Sequence, residues 1–256
     1  MIKSKAEYKK ILRLIYNLLD PIIDPFRLIG ATKYITFFKD LFEYSKIKGA
    51  EPIRFINLYP RICEKTQTQI SDIQYFYQNI WTFKKGYESR VEFHVDVGSD
   101  IDFVGFLTTI TKVTFIDIRP LSANLENFEM KKGSILSLPF ENNSISSLSC
   151  LHVAEHVGLG RYGDFLDPHG TKKACKELSR VLARNGNLYF SLPVGKSRLC
   201  FNAHRIHNPE QILDYFKELK LIEFSGVDDK GNFLRNIKPR DLSEANYACG
   251  MFWFKR

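Results

Sequence analysis

The sequence lacks the features that mark several large classes of protein. Its five cysteines stand singly at positions 63, 150, 175, 200 and 249, without a CxxC pair or an even framework for disulfides. The most apolar early stretch, residues 11–30, is interrupted by four charged residues and two prolines, which excludes an ordinary spanning helix. No apolar segment followed by a small-residue cleavage site opens the chain. We therefore expect a reduced, cytoplasmic protein without a signal peptide or a transmembrane helix.

Two sequence patterns that would suggest particular ligands are also missing. The GxGxxG fingerprint that a dinucleotide pyrophosphate requires at a helix N-terminus is absent, which argues against NAD. Basic residues are not interleaved with aromatic ones, so no nucleic-acid partner is expected. There are no internal repeats or low-complexity tracts.

What is present is the composition of an ordinary globular protein with an uneven charge. The 256 residues suit one large domain with a modest appendage, and 21 Phe and 12 Tyr supply core volume. The net charge is +8, and nearly all of the excess lies in residues 1–90, which hold 16 basic against 9 acidic residues. Such a basic region suits an anionic membrane surface, a phosphorylated substrate or a merely solubilising surface.

Helical periodicity dominates residues 1–90. Apolar side chains recur at helical spacing between Tyr8 and Leu19, which predicts an amphipathic helix over 5–19 that ends at Pro21. Two further helices are predicted over 26–46 and 70–84. The first helix either packs on its own domain or makes peripheral contact with a membrane interface. We predict an N-terminal helical region, 1–90, followed by an α/β domain, 91–256.

From Val91 onwards, short β-rich runs alternate with helical ones. The predicted strands are 91–97, 112–117, 133–137, 145–151, 187–193, 220–227 and 246–255. A helix before the fifth strand carries an apolar stripe that includes Ala174 and Leu178, and it is expected to stop at Asn185-Gly186. The last strand follows no comparable helix, so an antiparallel hairpin is expected, with a turn starting at Asp229. The pattern predicts a doubly wound, mostly parallel, seven-stranded α/β sheet.

Two acidic residues and a glycine lie where such a sheet binds ligands. The first strand delivers Asp96 and Gly98 to the carboxyl end of the sheet, and the second ends at Asp117. Asp117 follows Gly98 by 19 residues, which is the interval that one strand-helix-strand unit needs between a glycine turn and a ribose-binding acid. The spacing predicts a nucleotide site.

The chain resembles the class I S-adenosylmethionine-dependent methyltransferases over about residues 91–195. The motifs that carry the likeness are, in the family's order, 95–99, 115–117, 133–140 with 143–148, 154–157 and 177–188. The whole chain also looks similar to an uncharacterised methyltransferase-like family that is associated with bacterial surface-polysaccharide genes, through 201–206 and 224–229. The family pattern has glycine where this chain has Asp100 and an acid where it has Ser134.

The resemblance implies a cofactor site and a reaction. Asp96, Gly98 and Ser99 would surround the methionine part of S-adenosylmethionine, Asp117 would hold its ribose, and the adenine would lie beside a further pair, Ser134 and Ile135. The implied activity is methyl transfer to a small-molecule acceptor, with a hydroxyl of a saccharide or saccharide precursor as the substrate hypothesis. The alternative is a non-catalytic methyltransferase-like binding module that contacts a membrane or an assembly partner. The oligomeric state is left open.

A hydroxyl acceptor needs a base, and four histidines are candidates. His152, His156 and His204 follow the fourth and fifth strands at the carboxyl end of the sheet, as does His207, and their near-neutral pKa suits proton abstraction. Each is alternatively a buried, hydrogen-bonded histidine of the fold. Residues 152–156 also match the HxxEH pattern of inverted zinc peptidases, but the coincidence with a methyltransferase motif makes us predict no metal.

A glycine-rich segment at 158–170 is predicted to be a lid beside the substrate. Asp164 and Asp167 are candidates for binding substrate hydroxyls, or for shaping the loop. Three arginines are candidates for a phosphate or carboxylate clamp, or for ordinary ion pairs: Arg161, Arg198 and Arg205.

Overall fold

The computed structural model describes residues 9, 11–13, 15–16, 33–50, 52–54, 58, 60 and 72–256. Its contacts divide the chain into two compact units, Met1–Ile70 and Ser71–Arg256. The helices are α1 Lys33–Ser45, α2 Ile73–Ser89, α3 Ile101–Leu107, α4 Gly170–Val181 and α5 Pro209–Tyr215, with short 3₁₀ helices at Ala154–His156 and Pro239–Leu242. None of the described helices combines the length and apolar character needed to cross a bilayer.

The strands are β1 Phe93–Val97, β2 Lys112–Asp117, β3 Phe128–Lys132, β4 Ile145–Leu151, β5 Leu182–Val194, β6 Arg198–Cys200, β7 His204–Ile206, β8 Lys220–Val227, β9 Phe233–Leu234 and β10 Ala248–Lys255. Eight of them form one sheet in the order β3-β2-β1-β4-β5-β10-β8-β9, and β6 pairs with β7 separately. Pairing is parallel from β3 to β5 and antiparallel from β5 to β9. The predicted mostly parallel α/β fold is confirmed, although the sheet has eight strands instead of seven.

Helices cover both faces of this sheet, as the side chains of β5 show. Leu188 and Phe190 pack in one apolar cluster with Leu178 of α4. Tyr189, which lies between them, packs in another cluster with Trp81 of α2. Because consecutive residues of a strand point to opposite faces, the two clusters lie on opposite sides of the sheet.

The third predicted strand is wrong. Residues 133–137 form a turn with an isolated Ser134–Ser137 bridge, and the strand lies just before it, at Phe128–Lys132. This strand is at the edge of the sheet and is only half-buried, so its sequence FEMKK has no apolar run to reveal it. Gly133 then ends the strand close to β2, since a Cβ at this position would lie 2.8 Å from Cγ2 of Ile116.

The last strand is antiparallel, as predicted, but its connection is different. β10 is inserted between β5 and β8 and pairs with both. The expected turn near Asp229 leads from β8 into the short β9, where Asp228 accepts hydrogen bonds from the backbone of Lys230 and Asn232. The helix expected to stop at Asn185-Gly186 ends earlier, at Val181, because β5 begins at Leu182 and contains the pair as an irregularity.

The N-terminal predictions are described in part. For the helix predicted over 5–19, positions 9, 11–13, 15 and 16 are helical and the rest lie outside the described residues. α1 occupies the described part of the helix predicted over 26–46. α2, which the prediction placed in a region ending at residue 90, belongs to the second unit. It packs on the sheet, where Trp81 and Lys85 donate hydrogen bonds to Glu223 at 2.9 and 2.5 Å.

Candidate functional site

The turn after β1 requires glycine. Gly98 has φ +71°, and its N–H donates to the carbonyl of Ile116 on the neighbouring strand at 2.9 Å. A Cβ there would lie 3.1 Å from Cγ1 of Val153, the second residue after the end of β4. A side chain is therefore disfavoured both by the backbone conformation and by the close approach of the loop after β4.

Asp96 stabilises this turn through hydrogen bonds to its buried carboxylate. It is fully buried, and its carboxylate accepts hydrogen bonds from the Ser99 backbone at 3.0 Å, the Ser99 hydroxyl at 2.7 Å and the Ser149 hydroxyl. The Ser99 hydroxyl accepts in turn from the backbone N–H of Leu151. Burial raises the pKa of Asp96 to about 6, although these hydrogen bonds oppose the rise. The polar groups of both residues predicted to surround the cofactor are thus engaged inside the turn.

His94 extends the network into the sheet. It is buried, with Nδ1 2.8 Å from the Ser147 hydroxyl and Nε2 2.7 Å from the Ser149 hydroxyl. Because Ser149 gives its proton to Asp96, it must accept from His94, so the ring carries its hydrogen on Nε2 and is neutral. Burial lowers the pKa of His94 to about 3, in agreement with this assignment.

Asp117 ends β2 with one carboxylate oxygen engaged and one turned towards Gly98. Oδ1 accepts a hydrogen bond from the backbone of Arg119 at 2.7 Å. Oδ2 lies 3.8 Å from the position that a Gly98 Cβ would occupy. The side chain is 15% exposed, so this oxygen is sheltered and has no other partner among the described residues.

Gly98 and Asp117 line a cavity of about 130 Å³ at the carboxyl ends of β1 and β2, which we call the strand-end cavity. It is lined by residues 97–98, 116–119, 133–136, 152–153, 156–157, 162 and 164. Ser134 and Ile135 lie on its wall, and that they border the adenine stays a prediction. The wall is mostly backbone and aliphatic side chains, with the Asp117 carboxylate near the glycine turn.

A second cavity of about 450 Å³, here called the tyrosine cavity, adjoins the first. It is lined by Asp72, Gln74, Tyr75, Gly98, Ser99, Asp100, Leu151, His152, Glu155, His156, Arg161, Tyr162, Ala203, His204 and Tyr247. Four of these residues also line the strand-end cavity: Gly98, His152, His156 and Tyr162. A ligand in one cavity is therefore next to a ligand in the other.

Glu155 is a buried carboxylate on the wall of the tyrosine cavity. Its side chain is 1% exposed, and Oε1 lies 3.1 Å from Nδ1 of His152 and 3.8 Å from Nε2 of His156. Neither oxygen has a well-aligned hydrogen bond within the described residues. Burial opposes its ionisation, but the two histidines outweigh burial and hold the pKa of Glu155 below its ordinary value. The site thus contains a carboxylate with unused capacity to accept hydrogen bonds.

His152 is engaged on both ring nitrogens. Nδ1 contacts Glu155, Nε2 lies 3.4 Å from Sγ of Cys249, and the ring packs against Tyr75 at 5.0 Å. Burial disfavours the imidazolium, but Cys249 and Glu155 outweigh burial and raise the pKa of His152 to about 10. At neutral pH this histidine carries a proton and is the counterion of Glu155.

His156 has one free nitrogen. Nδ1 lies 2.6 Å from the carbonyl oxygen of Ala203, which can only accept, and 3.2 Å from Nη1 of Arg161, which donates to the same carbonyl. Because the shorter contact needs a donor, we assign the hydrogen to Nδ1 and the lone pair to Nε2. Partial burial lowers the pKa of His156, although Glu155 opposes the shift. A neutral imidazole with its lone pair next to the tyrosine cavity has the properties of a general base at neutral pH.

The other two candidate histidines, His204 and His207, lie in different surroundings. His204 lines the tyrosine cavity beside Tyr247, with ring centroids 5.2 Å apart, and partial burial lowers its pKa. His207 is buried, with Nδ1 3.1 Å from Oε1 of Gln211 and Nε2 3.3 Å from Oγ1 of Thr171, so both of its ring nitrogens are engaged within the fold.

The predicted lid is anchored by its own carboxylates. Asp164 accepts from the backbone of Gly158 and Tyr162, and Asp167 pairs with Lys173 at 2.6 Å. Tyr162 lies between two guanidinium groups, with Cζ of Arg119 4.5 Å and Cζ of Arg161 5.1 Å from its ring centroid. This residue closes the junction of the two cavities.

The arginines predicted as a substrate clamp bind backbone carbonyls. Arg205 donates to Val157 and Asp167, Arg161 donates to Ala203, and Arg198 donates to Lys196. No group of three or more His, Cys, Asp or Glu side chains in the described part of the chain is arranged to hold a metal ion.

Sequence reasoning missed part of the site. Tyr75, Tyr162 and Tyr247 were not singled out, because isolated tyrosines far apart in the chain carry no motif. The motif at 152–156 contains Glu155, and the position of this residue between two histidines is the signal that it would interact with them. His94 and its two serines were also missed, since alternate polar residues in a strand normally indicate an exposed face.

Comparisons with known proteins place this geometry in a known fold. Residues 126–243 match the family model described as "Caenorhabditis protein of unknown function, DUF268". No curated protein matches the sequence. A solved structure provisionally described as a sarcosine dimethylglycine methyltransferase from Galdieria sulphuraria is similar at 15% identity and a TM-score of 0.52, over 85% of this chain and 97% of that one.

N-methyltransferase NodS from Bradyrhizobium japonicum WM9 is similar at 14% identity and a TM-score of 0.50, over 73% of this chain and 99% of that one. The chain has the Rossmann-like α/β fold of these two methyltransferase structures. NodS has also been solved in complex with S-adenosyl-L-homocysteine, and that structure has a TM-score of 0.49 and 14% identity, over 73% of this chain and 88% of that one. In the methyltransferase fold of this chain, both cavities lie at the carboxyl ends of parallel strands, where open α/β sheets bind ligands.

Proposed function

We propose that this protein is an S-adenosylmethionine-dependent methyltransferase, with the adenosyl part in the strand-end cavity and the methyl acceptor in the tyrosine cavity. The observation that carries the proposal is that Asp117 and Gly98 lie close together on the wall of the first cavity, which adjoins the second at four shared residues. Two adjoining sites are what a group transfer between two small molecules requires.

The residues of the strand-end cavity fit the cofactor. Asp117 Oδ2 is available to accept hydrogen bonds from ribose hydroxyls, Ser134 and Ile135 border the adenine, and the missing side chain at Gly98 lets the ligand approach the backbone. Asp96 and Ser99 contribute by holding the turn in shape. Bound there, S-adenosylmethionine would supply a methyl group activated on a sulfonium.

The acceptor we propose is a hydroxyl of a saccharide or saccharide precursor. Glu155 offers carboxylate oxygens without well-aligned partners, and three tyrosines offer ring faces and hydroxyls. A polyol presents several hydroxyl donors to the carboxylate and C–H surfaces to the tyrosine rings. As the acceptor hydroxyl took up the methyl group that the cofactor would supply, Nε2 of His156 would accept the hydroxyl proton.

His156 is the base that the contacts favour among the three candidates that line the tyrosine cavity. His152 is protonated at neutral pH and has both nitrogens engaged. His204 is half-exposed, and no carboxylate of the described residues forms an ion pair with it. His156 has Glu155 3.8 Å from its free nitrogen, and this carboxylate stabilises the imidazolium that forms when the proton arrives.

Calorimetric titration with S-adenosylhomocysteine tests the cofactor site. We expect binding by the full chain, and at least about tenfold weaker binding by Asp117→Ala, because a sheltered carboxylate that accepts ribose hydrogen bonds contributes about 1.4 kcal/mol or more. The matched control is Asp214→Ala, an exposed aspartate on α5, which should bind like the wild type. Absence of binding at millimolar ligand would remove the catalytic proposal and leave a non-catalytic module as the function.

The acceptor class is tested separately by incubating the protein with methyl-labelled S-adenosylmethionine and a panel of monosaccharides and nucleotide sugars. Label should appear in an acceptor with a free hydroxyl and disappear when that hydroxyl is absent. Binding of S-adenosylhomocysteine without transfer to any member of the panel would reject the saccharide hypothesis alone.

A further inference from the structure

Two loops beside the tyrosine cavity carry large apolar side chains that contact almost nothing. We call residues 158–169 and 195–206 the mouth loops. Phe165 and Leu166 in the first are 97% and 70% exposed, and Leu199 and Phe201 in the second are 54% and 69% exposed. A side chain as exposed as Phe165 contributes nothing to the core of its own domain, so its presence calls for something outside the domain to cover it.

Arginine hydrogen bonds hold the mouth loops against each other. Arg205 donates to the carbonyl of Val157 at 2.5 Å and to that of Asp167 at 2.9 Å. Arg161 donates across the same gap to Ala203 at 3.0 Å. Tyr162 from one loop and His204 from the other both line the tyrosine cavity. The apolar tips therefore belong to two joined loops that border this cavity.

The mouth loops carry more basic than acidic side chains. Residues 195–206 contain Lys196, Arg198 and Arg205 and no acidic residue, and residues 158–169 add Arg161 against Asp164 and Asp167. Two of these charges are paired, Lys196 with Glu244 at 3.0 Å and Asp167 with Lys173 at 2.6 Å. Exposed aromatic and aliphatic residues beside this excess of cations match the two layers of an anionic membrane surface, the acyl boundary and the phosphates.

We propose that the mouth loops bind an anionic lipid surface and hold the tyrosine cavity facing it. The four apolar tips enter the boundary between headgroups and acyl chains, and Arg198 with its neighbouring cations contacts lipid phosphates. This surface is separate from the N-terminal helix, and the proposal does not depend on methyl transfer.

Co-sedimentation of the full chain with vesicles tests the proposal. The probes are vesicles of phosphatidylcholine with 30% phosphatidylglycerol, and of phosphatidylcholine alone, at low and high salt. We expect binding to the anionic vesicles that weakens with salt, and at least a tenfold lower partition coefficient for the double variant Phe165→Ser/Phe201→Ser. The matched control is Tyr87→Ser/Phe106→Ser, which removes rings that are 65% and 66% exposed outside the mouth loops and should bind as the wild type does.

A second variant, Phe38→Ser/Phe42→Ser, alters the exposed rings of α1 and separates this surface from the N-terminal unit. Retained vesicle binding by this variant supports the mouth loops as the contact. Loss of binding in it with full binding in the mouth-loop variant would overturn the proposal. Failure of the wild type to bind either vesicle would also overturn it and would make a protein partner the occupant of the apolar tips. Circular dichroism of each variant confirms that the fold is unchanged.

Discussion

The two cavities of this protein are built in different ways. The strand-end cavity comes mainly from residues 97–136, and nearly half of its lining residues are aliphatic. The tyrosine cavity gathers residues between Asp72 and Tyr247, and polar and aromatic side chains dominate its wall. The first is therefore built largely from neighbouring strand ends, with residues 152–164 completing it. The second depends on long-range packing of α2, the loop after β4, the β6–β7 hairpin and the segment before β10.

This difference separates the residues proposed for cofactor binding from those proposed for catalysis. A nucleotide is held by features common to many sheets of this kind, a glycine turn and an acid at a strand end. The acceptor side needs a defined protonation state at each group, and here burial and neighbouring charge give His152 and His156 opposite pKa shifts although they are four residues apart. The following variants are designed to affect one cavity without the other.

The largest expected effect is on methyl transfer, through a histidine that lines both cavities. His156→Ala should lower the rate of methyl transfer by about 10²- to 10⁴-fold, because the acceptor hydroxyl loses its base. Affinity for S-adenosylhomocysteine, measured calorimetrically, should stay within about twofold of the wild type. Because the base must be neutral and its pKa lies below the ordinary value of 6.5, the wild-type rate should be independent of pH above about pH 7.

His204→Ala provides the comparison for that variant, since it removes an imidazole from the same cavity. If His204→Ala reduced the rate more than His156→Ala did, the assignment of the base would be wrong. Loss of cofactor affinity in His156→Ala would instead show that the two cavities are not independent.

The next effect is on the strand-end cavity. Asp96→Ala leaves the Ser99 and Ser149 groups without their acceptor in a buried network, and it should lower the free energy of unfolding by about 3 kcal/mol. It should also weaken S-adenosylhomocysteine binding, because the Gly98 turn loses its support. Urea denaturation and calorimetry measure the two effects. Stability like that of the wild type would mean that the network does not hold the turn.

The smallest effect is a pH dependence of stability that comes from His94. Its folded pKa of about 3 lies below the ordinary value of 6.5, so the folded state binds fewer protons between these values. The contribution of His94 to the free energy of unfolding is complete above pH 6.5 and is lost as the pH falls towards 3. Asp96, with its pKa raised to about 6, acts in the opposite direction over part of this range.

His94→Leu removes the first contribution and keeps the second. Between pH 4 and 6, the free energy of unfolding of the wild type should fall more steeply on acidification than that of the variant, by up to about 1.4 kcal/mol per pH unit. Urea unfolding at several pH values gives both slopes. Parallel curves would show that His94 takes up its proton equally in the folded and unfolded chains.

Much of the sheet was predictable from local pattern. The strands at 112–117, 145–151 and 220–227 have the predicted bounds, because buried strands with apolar, β-branched runs between polar turns leave a clear signal. The edge strand Phe128–Lys132 and the short strands β6, β7 and β9 left no such signal in the sequence. Their residues are half-exposed, so pairing with a neighbour and not hydrophobic burial determines their conformation.

The candidate site was predictable to the extent that it is local. Gly98 and Asp117 meet as their spacing predicted, and Ser134 and Ile135 lie on the same wall. The roles of Asp96 and Ser99 as cofactor ligands stay predictions, and their polar atoms are engaged within the turn. The proton position on His156 depends on the carbonyl of Ala203, 47 residues away, which no spacing rule indicates.

The sequence by itself determined the buried strands, the glycine at the first turn and the acid at the end of the second strand, because these follow from short-range periodicity and backbone conformation. Only the tertiary structure decided which histidine is neutral, that Glu155 is buried without a well-aligned partner, and that four apolar side chains project around one cavity. The physical reason is that a pKa, an unsatisfied oxygen and an exposed ring are properties of surroundings, and the surroundings come from segments up to 175 residues apart, such as Asp72 and Tyr247.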